Sequence, residues 1–226
     1  LPSPKAVTRR GIYDRTTRGI RLSLATPRLR GLLGLTVVAA SVSAMVIINT
    51  VVIIRADLGL SEHMVALTLA AFGAGSMLAA VTLPRLLAPR QDRSLMIAGA
   101  LIAILAQTGL AAYALLATAA LLPVMLCWFL SGFGYSTVLT PSGRLLKRSA
   151  RAEDRPAVFA AQFTLSHGCW LITYPLAGWS MSSFGMVPSL WVLNALAILG
   201  VLYARIQWPA HDPESLPHGH PELAAD

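Results

Sequence analysis

The chain is poor in charge. Of its 226 residues only 12% are Asp, Glu, Lys or Arg, while 55% are hydrophobic; soluble domains carry roughly 25% charge. That shortage excludes a disordered chain, a solvated coiled coil and an ordinary soluble enzyme. Cysteine is scarce too. Cys127 and Cys169 both sit in apolar runs, which argues against a disulfide framework or a thiolate metal centre. Acidic residues number ten against eighteen Lys and Arg, a net charge of +8. What remains is a set of long uncharged runs, and these describe a polytopic membrane protein.

A helix crossing about 30 Å of hydrocarbon needs about 20 mostly apolar residues. Gly31–Ile54 runs for 24 residues without Asp, Glu, Lys or Arg, Met64–Pro84 for 21, Ser94–Gly143 for 50 and Pro156–Ala204 for 49. At 1.5 Å per residue the longest would make a helix of roughly 75 Å, so each of the two long runs must fold back once. The reversals are expected near Tyr113–Leu122, before Pro123, and at Ser182-Ser183-Phe184-Gly185, ahead of Pro188. The prediction is an all-α membrane protein, a bundle of six spans at about 31–54, 64–84, 94–114, 120–143, 156–181 and 187–205.

Six spans put both termini on one side, and the basic residues choose which. All but one of the eighteen Lys and Arg fall before Gly31, in the 85–93 and 144–155 loops, or at Arg205; the exception is Arg55. Lys and Arg are retained in the cytoplasm, so both termini are expected inside, in a cell inner (plasma) membrane. The basic excess is therefore a topology signal that also suits anionic lipid. No aromatic residues are interleaved with it as stacking platforms, so nucleic acid is not an expected partner.

Residues 1–30 read as a basic cytoplasmic connector. They lack the apolar stretch of about 7–15 residues that a secretory signal needs, and Arg18-Gly-Ile-Arg-Leu-Ser-Leu has the pattern of a short amphipathic piece along the membrane. A connector implies something upstream, so the chain is expected to be the C-terminal part of a longer protein. Residues 206–226 turn polar and proline-rich and are expected to be disordered. His211, His218 and His220 lie there; they could form a weak metal-binding element, although two closely spaced imidazoles have no fixed geometry.

Three stretches carry a resemblance. Leu83-Pro84-Arg85-Leu-Leu-Ala-Pro89-Arg90-Gln-Asp92-Arg93-Ser-Leu-Met-Ile resembles the basic loop between the second and third spans of a half in the major facilitator superfamily, normally Gly-x-x-x-Asp-Arg-x-Gly-Arg-Arg. Here arginines are kept, the glycines are absent and Asp92 is displaced. The fourth span, from Ser131 to Arg144, and the fifth, with Gln162, His167, Trp170, Tyr174, Pro175 and Gly178, resemble cavity-lining spans of that superfamily. The resemblance implies the C-terminal half of a transporter, a 3+3 inverted repeat that supplies half of a midplane cavity. It implies secondary active transport, with efflux as the expected direction, of a small molecule or ion by alternating access. The missing partner would be an N-terminal six-span half or a second copy of the chain. No enzyme activity and no cofactor are expected. Two alternatives stay open: a half-length, non-transporting membrane subunit or truncated remnant, and metal-ion efflux linked to the His-containing tail.

No Asp, Glu, Lys or Arg lies inside a predicted span, where a charge usually marks an ion or proton path. The polar candidates are therefore neutral. Phe163, His167, Trp170, Tyr174 and Gly178 fall on one stripe of the fifth span. This stripe either lines a cavity, with His167 binding substrate or relaying a proton, or packs, with His167 bonded to a neighbouring helix. The resemblance adds Asn49, Thr50, Ser136 and Thr137, on spans that line the cavity, and places Gln107 and Asn194 on spans that face lipid or packing neighbours. For all of these, helix-to-helix bonding is the competing reading. The basic loops supply cytoplasmic gate candidates: Arg85, Asp92, Arg93 and Arg144. Gly73-x-Gly75 and Gly132-x-Gly134 lie inside apolar spans, without a preceding strand, and read as close-packing points rather than a nucleotide loop. Ser136 and His167 as a protease pair would need Gly-x-Ser-Gly, which Gly-Phe-Gly-Tyr-Ser is not.

Overall fold

Proline and glycine punctuate the helices, and the computed structural model, which describes residues 12–87, 91–116 and 120–210, follows them. Helix α1 (Ile12–Ala25) stops where Thr26 turns extended (ψ 116°), as a residue before proline prefers, and Pro27 then opens α2 (Pro27–Val51) at its first turn. A π-helical segment, Val52–Asp57, carries α2 onward. After it come α3 (Glu62–Leu87), α4 (Asp92–Leu116), α5 (Leu121–Leu139) and the short α6 (Ser142–Ser149). The chain ends its described part with α7 (Arg155–Phe184) and α8 (Met186–Gln207). Gly185 alone separates these last two, at φ +80°, a conformation that glycine adopts without a Cβ penalty. Among the described residues the fold is all-helical.

Among the described residues five helical stretches are long and apolar enough to cross a bilayer: Pro27–Asp57, Glu62–Arg85, Asp92–Leu116, Leu121–Ser149 and Met186–Gln207. α7 is not among them. It is long enough at 30 residues, but Gln162, Thr164, Ser166, His167, Thr173 and three serines near its end dilute its apolar character. The first stretch begins at Pro27 rather than Gly31, because Arg28 and Arg30 are carried on the helix itself. The residues before it are partly helical as well: α1 packs on the start of α7.

α2 is the centre of the bundle, packed on α8, α7 and α5. Two apolar clusters stack along it. One joins Leu29–Val42 to Met96, Ile104, Val138 and Ala204 at the basic end; the other joins Ala44–Ile54 to Leu110, Trp128, Met181 and Leu193. α3 is the opposite case. Only 17% of its apolar window is buried, against 72% for the α2 stretch, because it packs chiefly on α5. That contact is backbone to backbone. A Cβ on Gly75 would overlap the Phe129 carbonyl, and one on Gly132 would overlap that of Phe72, while Gly73 faces open space. Small residues allow such close helix approach in membranes.

Candidate functional site

Most of the described charged residues gather at one end, with Arg55, Asp57 and Glu62 at the other. Asp92 opens α4 with its side chain fully buried. Its Oδ1 accepts from Arg144 Nε at 3.1 Å and also from Arg144 Nη2. Oδ2 accepts no hydrogen bond among the described residues, and Arg148 Nη1 stands 3.6 Å from it. α6 delivers both arginines, one turn apart, while burying Leu145 and Leu146 beneath them. A buried carboxylate is costly alone, and the flanking guanidinium groups offset that cost. Arg93 turns away: its Nε donates to the Trp208 carbonyl at 2.8 Å and its Nη2 reaches the Arg205 carbonyl at 3.5 Å, tying α4 to the end of α8. Arg85 is exposed at the end of α3, beside Leu78, Thr82 and Phe133. Of the four gate candidates, then, Asp92 and Arg144 meet, and Arg85 joins neither.

In the middle of the bundle a set of polar side chains is used between helices. Asn49, 1% exposed, donates to the Ala177 carbonyl of α7 at 3.3 Å. Thr50 accepts from Trp128 Nε1 at 2.7 Å. Trp170 Nε1 donates to Ser43 Oγ at 3.0 Å, Thr173 to the Ala40 carbonyl at 3.3 Å, and Gln162 to Thr36 Oγ1 at 3.1 Å. Gln107 and Asn194 are fully buried and bond the Val42 carbonyl (3.3 Å) and Thr108 Oγ1 (3.2 Å) respectively. Thr137 is buried and returns its hydroxyl to the Phe133 carbonyl of its own helix, at 2.7 Å. Ser136 is half-buried, 3.4 Å from Thr140 Oγ1.

His167 bonds within its own helix, as Thr164 and Ser166 beside it do. Its side chain is exposed, and its Nδ1 lies 2.8 Å from the Phe163 carbonyl, within its own helix. A carbonyl can only accept, so Nδ1 carries the hydrogen and Nε2 of the neutral ring is left as an acceptor. The imidazole lies 4.0 Å from the Phe163 ring and 5.4 Å from that of Trp170. Tyr174, two turns on, is half-buried. The stripe is therefore divided: Trp170 ties α7 to α2, while Phe163 and His167 face outward from the bundle. His167 makes no bond to a neighbouring helix among the described residues. Ser136 and His167 are bonded to other groups and do not form a nucleophile–base pair.

An apolar groove of about 450 Å³ between α4 and α5, lined by Leu105, Tyr113, Leu126 and Leu130 among others, includes none of the candidates. Among the described residues no group of three or more His, Cys, Asp or Glu could hold a metal; His211, His218 and His220 lie outside them. Sequence reasoning missed Thr36, Ala40 and Ser43, the α2 side of the α2–α7 contact. Their i, i+4, i+7 spacing was the available signal. It also missed Trp128, whose indole N–H had to find an acceptor once buried.

No curated protein matches the chain. The profile of the Major Facilitator Superfamily matches residues 32–224. The apolar helices and this match make the chain part of a multi-pass membrane protein, and membership implies membrane transport of some substrate. The chain belongs to the Major Facilitator Superfamily.

Proposed function

We propose that the chain is the C-terminal half of a secondary active carrier that exports a small molecule or ion by alternating access. In this reading α7 is the sixth span, completing a 3+3 repeat, both termini are cytoplasmic, and the membrane is the inner membrane. Between Pro156 and Phe184 α7 carries no Asp, Glu, Lys or Arg, which suits a span that borders a cavity rather than lipid. One observation carries the reading: the exposed His167 ring makes no bond to a neighbouring helix among the described residues, while Asn49, Thr50 and Trp170 are bonded between helices. α3 presents an open flank as well, with 17% of its apolar window buried. A second six-span body laid against these faces would enclose His167, Phe163 and the edges of Trp170 and Tyr174. Asn49, Thr50 and Thr137 would support that cavity from behind, and the Asp92–Arg144 pair would close its cytoplasmic end.

The test is transport by the full-length protein in proteoliposomes, against a panel of small organic and inorganic solutes under imposed proton and potential gradients. At least one solute is expected to move, with flux reduced about tenfold or more by His167→Ala. If no solute moves under any gradient, the proposal fails and a non-transporting subunit is the better description.

A further inference from the structure

α1 is held against the head of α7 by two contacts of different kinds. Gly19 lies so close to Ala157 that a Cβ there would overlap the Ala157 carbonyl, and Arg18 Nη2 is 2.5 Å from Asp154 Oδ1. The docking leaves a cavity of about 340 Å³ beneath α1, between Leu22, the Ser149–Asp154 segment and Val158. Its lining is two-sided. Leu22, Ala150 and Val158 form an apolar wall, and Ser149, Arg151 and Asp154 a polar one. Because Arg18 engages the Asp154 carboxylate, the charge left at the cavity is that of Arg151, which is exposed and has no ion pair among the described residues. Lys147 and Arg155 add positive charge on the same segment, which Glu153 opposes beside the Arg18-paired Asp154. The cavity also has a defined depth. Val158 lies on α7, which carries no charged residue after Arg155; with α7 read as a span, as proposed above, the cavity lies at the level of lipid headgroups.

We propose that this cavity binds the phosphate-bearing headgroup of an anionic membrane lipid. Arg151 would provide the main charge contact, and the Leu22–Val158 wall would receive the upper part of the acyl chains. A guanidinium recognises phosphate through paired donors, which an ammonium cannot reproduce. The apolar wall separates a lipid from a free anion. By bridging the segment before α7 to the bilayer, the bound lipid would hold α1 in its docked position.

The experiment is lipid titration of the full-length protein in detergent, with bound lipids counted by native mass spectrometry. The probes are dioleoylphosphatidylglycerol, dioleoylphosphatidylcholine and inorganic phosphate. The wild-type protein is expected to retain one phosphatidylglycerol more tightly than the rest, to show no such preference for phosphatidylcholine, and to keep the lipid in millimolar phosphate. Arg151→Gln should weaken that one site about fivefold. Arg151→Lys should weaken it less, and Arg205→Gln, which removes one charge elsewhere on the same end, should leave it unchanged. Equal losses in Arg151→Gln and Arg205→Gln would mean a diffuse basic surface and overturn the proposal. So would an unaltered site in Arg151→Gln, or displacement of the lipid by phosphate.

Discussion

Arg144 on α6 holds Asp92 at the start of α4, Nε to Oδ1 at 3.1 Å, and the two partners differ sharply in burial: the arginine side chain is 51% exposed and the aspartate not at all. Removing either residue should therefore have unequal effects. Arg144→Ala leaves a buried carboxylate with only Arg148 nearby, and should cost about 3 kcal/mol, the lower end for a broken buried pair. Asp92→Asn releases an arginine that already reaches water and should cost under ~1.5 kcal/mol. Thermal unfolding of the purified protein checks the order, and adding Asp92→Asn to Arg144→Ala should recover stability. If Asp92→Asn proves the more harmful change, the pair is not held by burial in this way.

Trp128 and Thr50 offer a cleaner measurement, since Trp128→Phe removes the 2.7 Å bond while keeping most of the ring. The expected loss is about 1 kcal/mol, typical of a hydrogen bond between helices in a membrane. A double-mutant cycle with Thr50→Val should show coupling. Simple additivity would mean that the bond contributes nothing.

The glycines of α3 should separate by position. Gly75→Ala pushes a methyl into the Phe129 carbonyl and should cost roughly 1–3 kcal/mol by overpacking. Gly73→Ala meets open space two residues away and should stay within about 0.5 kcal/mol. Unfolding of the two variants side by side decides it.

Accessibility tests the open face of α7. In a background where Cys127 and Cys169 are replaced by Ala, a cysteine at 167 should react with a water-soluble maleimide, and one at 50 should not. The expected contrast is tenfold or more in rate, because Thr50 is fully buried. Equal rates would remove His167 from any aqueous cavity.

Much of the helix layout was legible in the residues. The turn at Gly185 could be read because glycine and serines interrupt an apolar run, and the observed φ of +80° is one that favours glycine. The reversal after Leu116 falls inside the expected Tyr113–Leu122 window for a simpler reason: a helix cannot exceed the bilayer by another twenty residues. The start of α2 was misjudged by counting charge alone, since Arg28 and Arg30 extend from the first turn of a helix that Pro27 begins. The site was less legible. Nothing in the local sequence around Asn49 tells that its amide is used by the Ala177 carbonyl, because that partner is 128 residues away. Asp92 looked like a displaced motif residue, and its full burial depends on α6, whose placement the loop sequence does not encode alone.

The α2–α7 contact sets how stiffness is distributed. Both helices start at the basic end and run the same way, and they are fastened at Thr36–Gln162, Ala40–Thr173, Ser43–Trp170 and Asn49–Ala177. A slip of one residue, about 1.5 Å, would break all four fastenings together, so this pair resists sliding as a single strut. Among the described residues α3 has one such bond to its neighbour, Ser76 to the Gly132 carbonyl at 3.0 Å, set in a glycine contact. By the same count of fastenings, α7, which carries His167, is tied to the central helix α2 far more firmly than α3 is tied to α5.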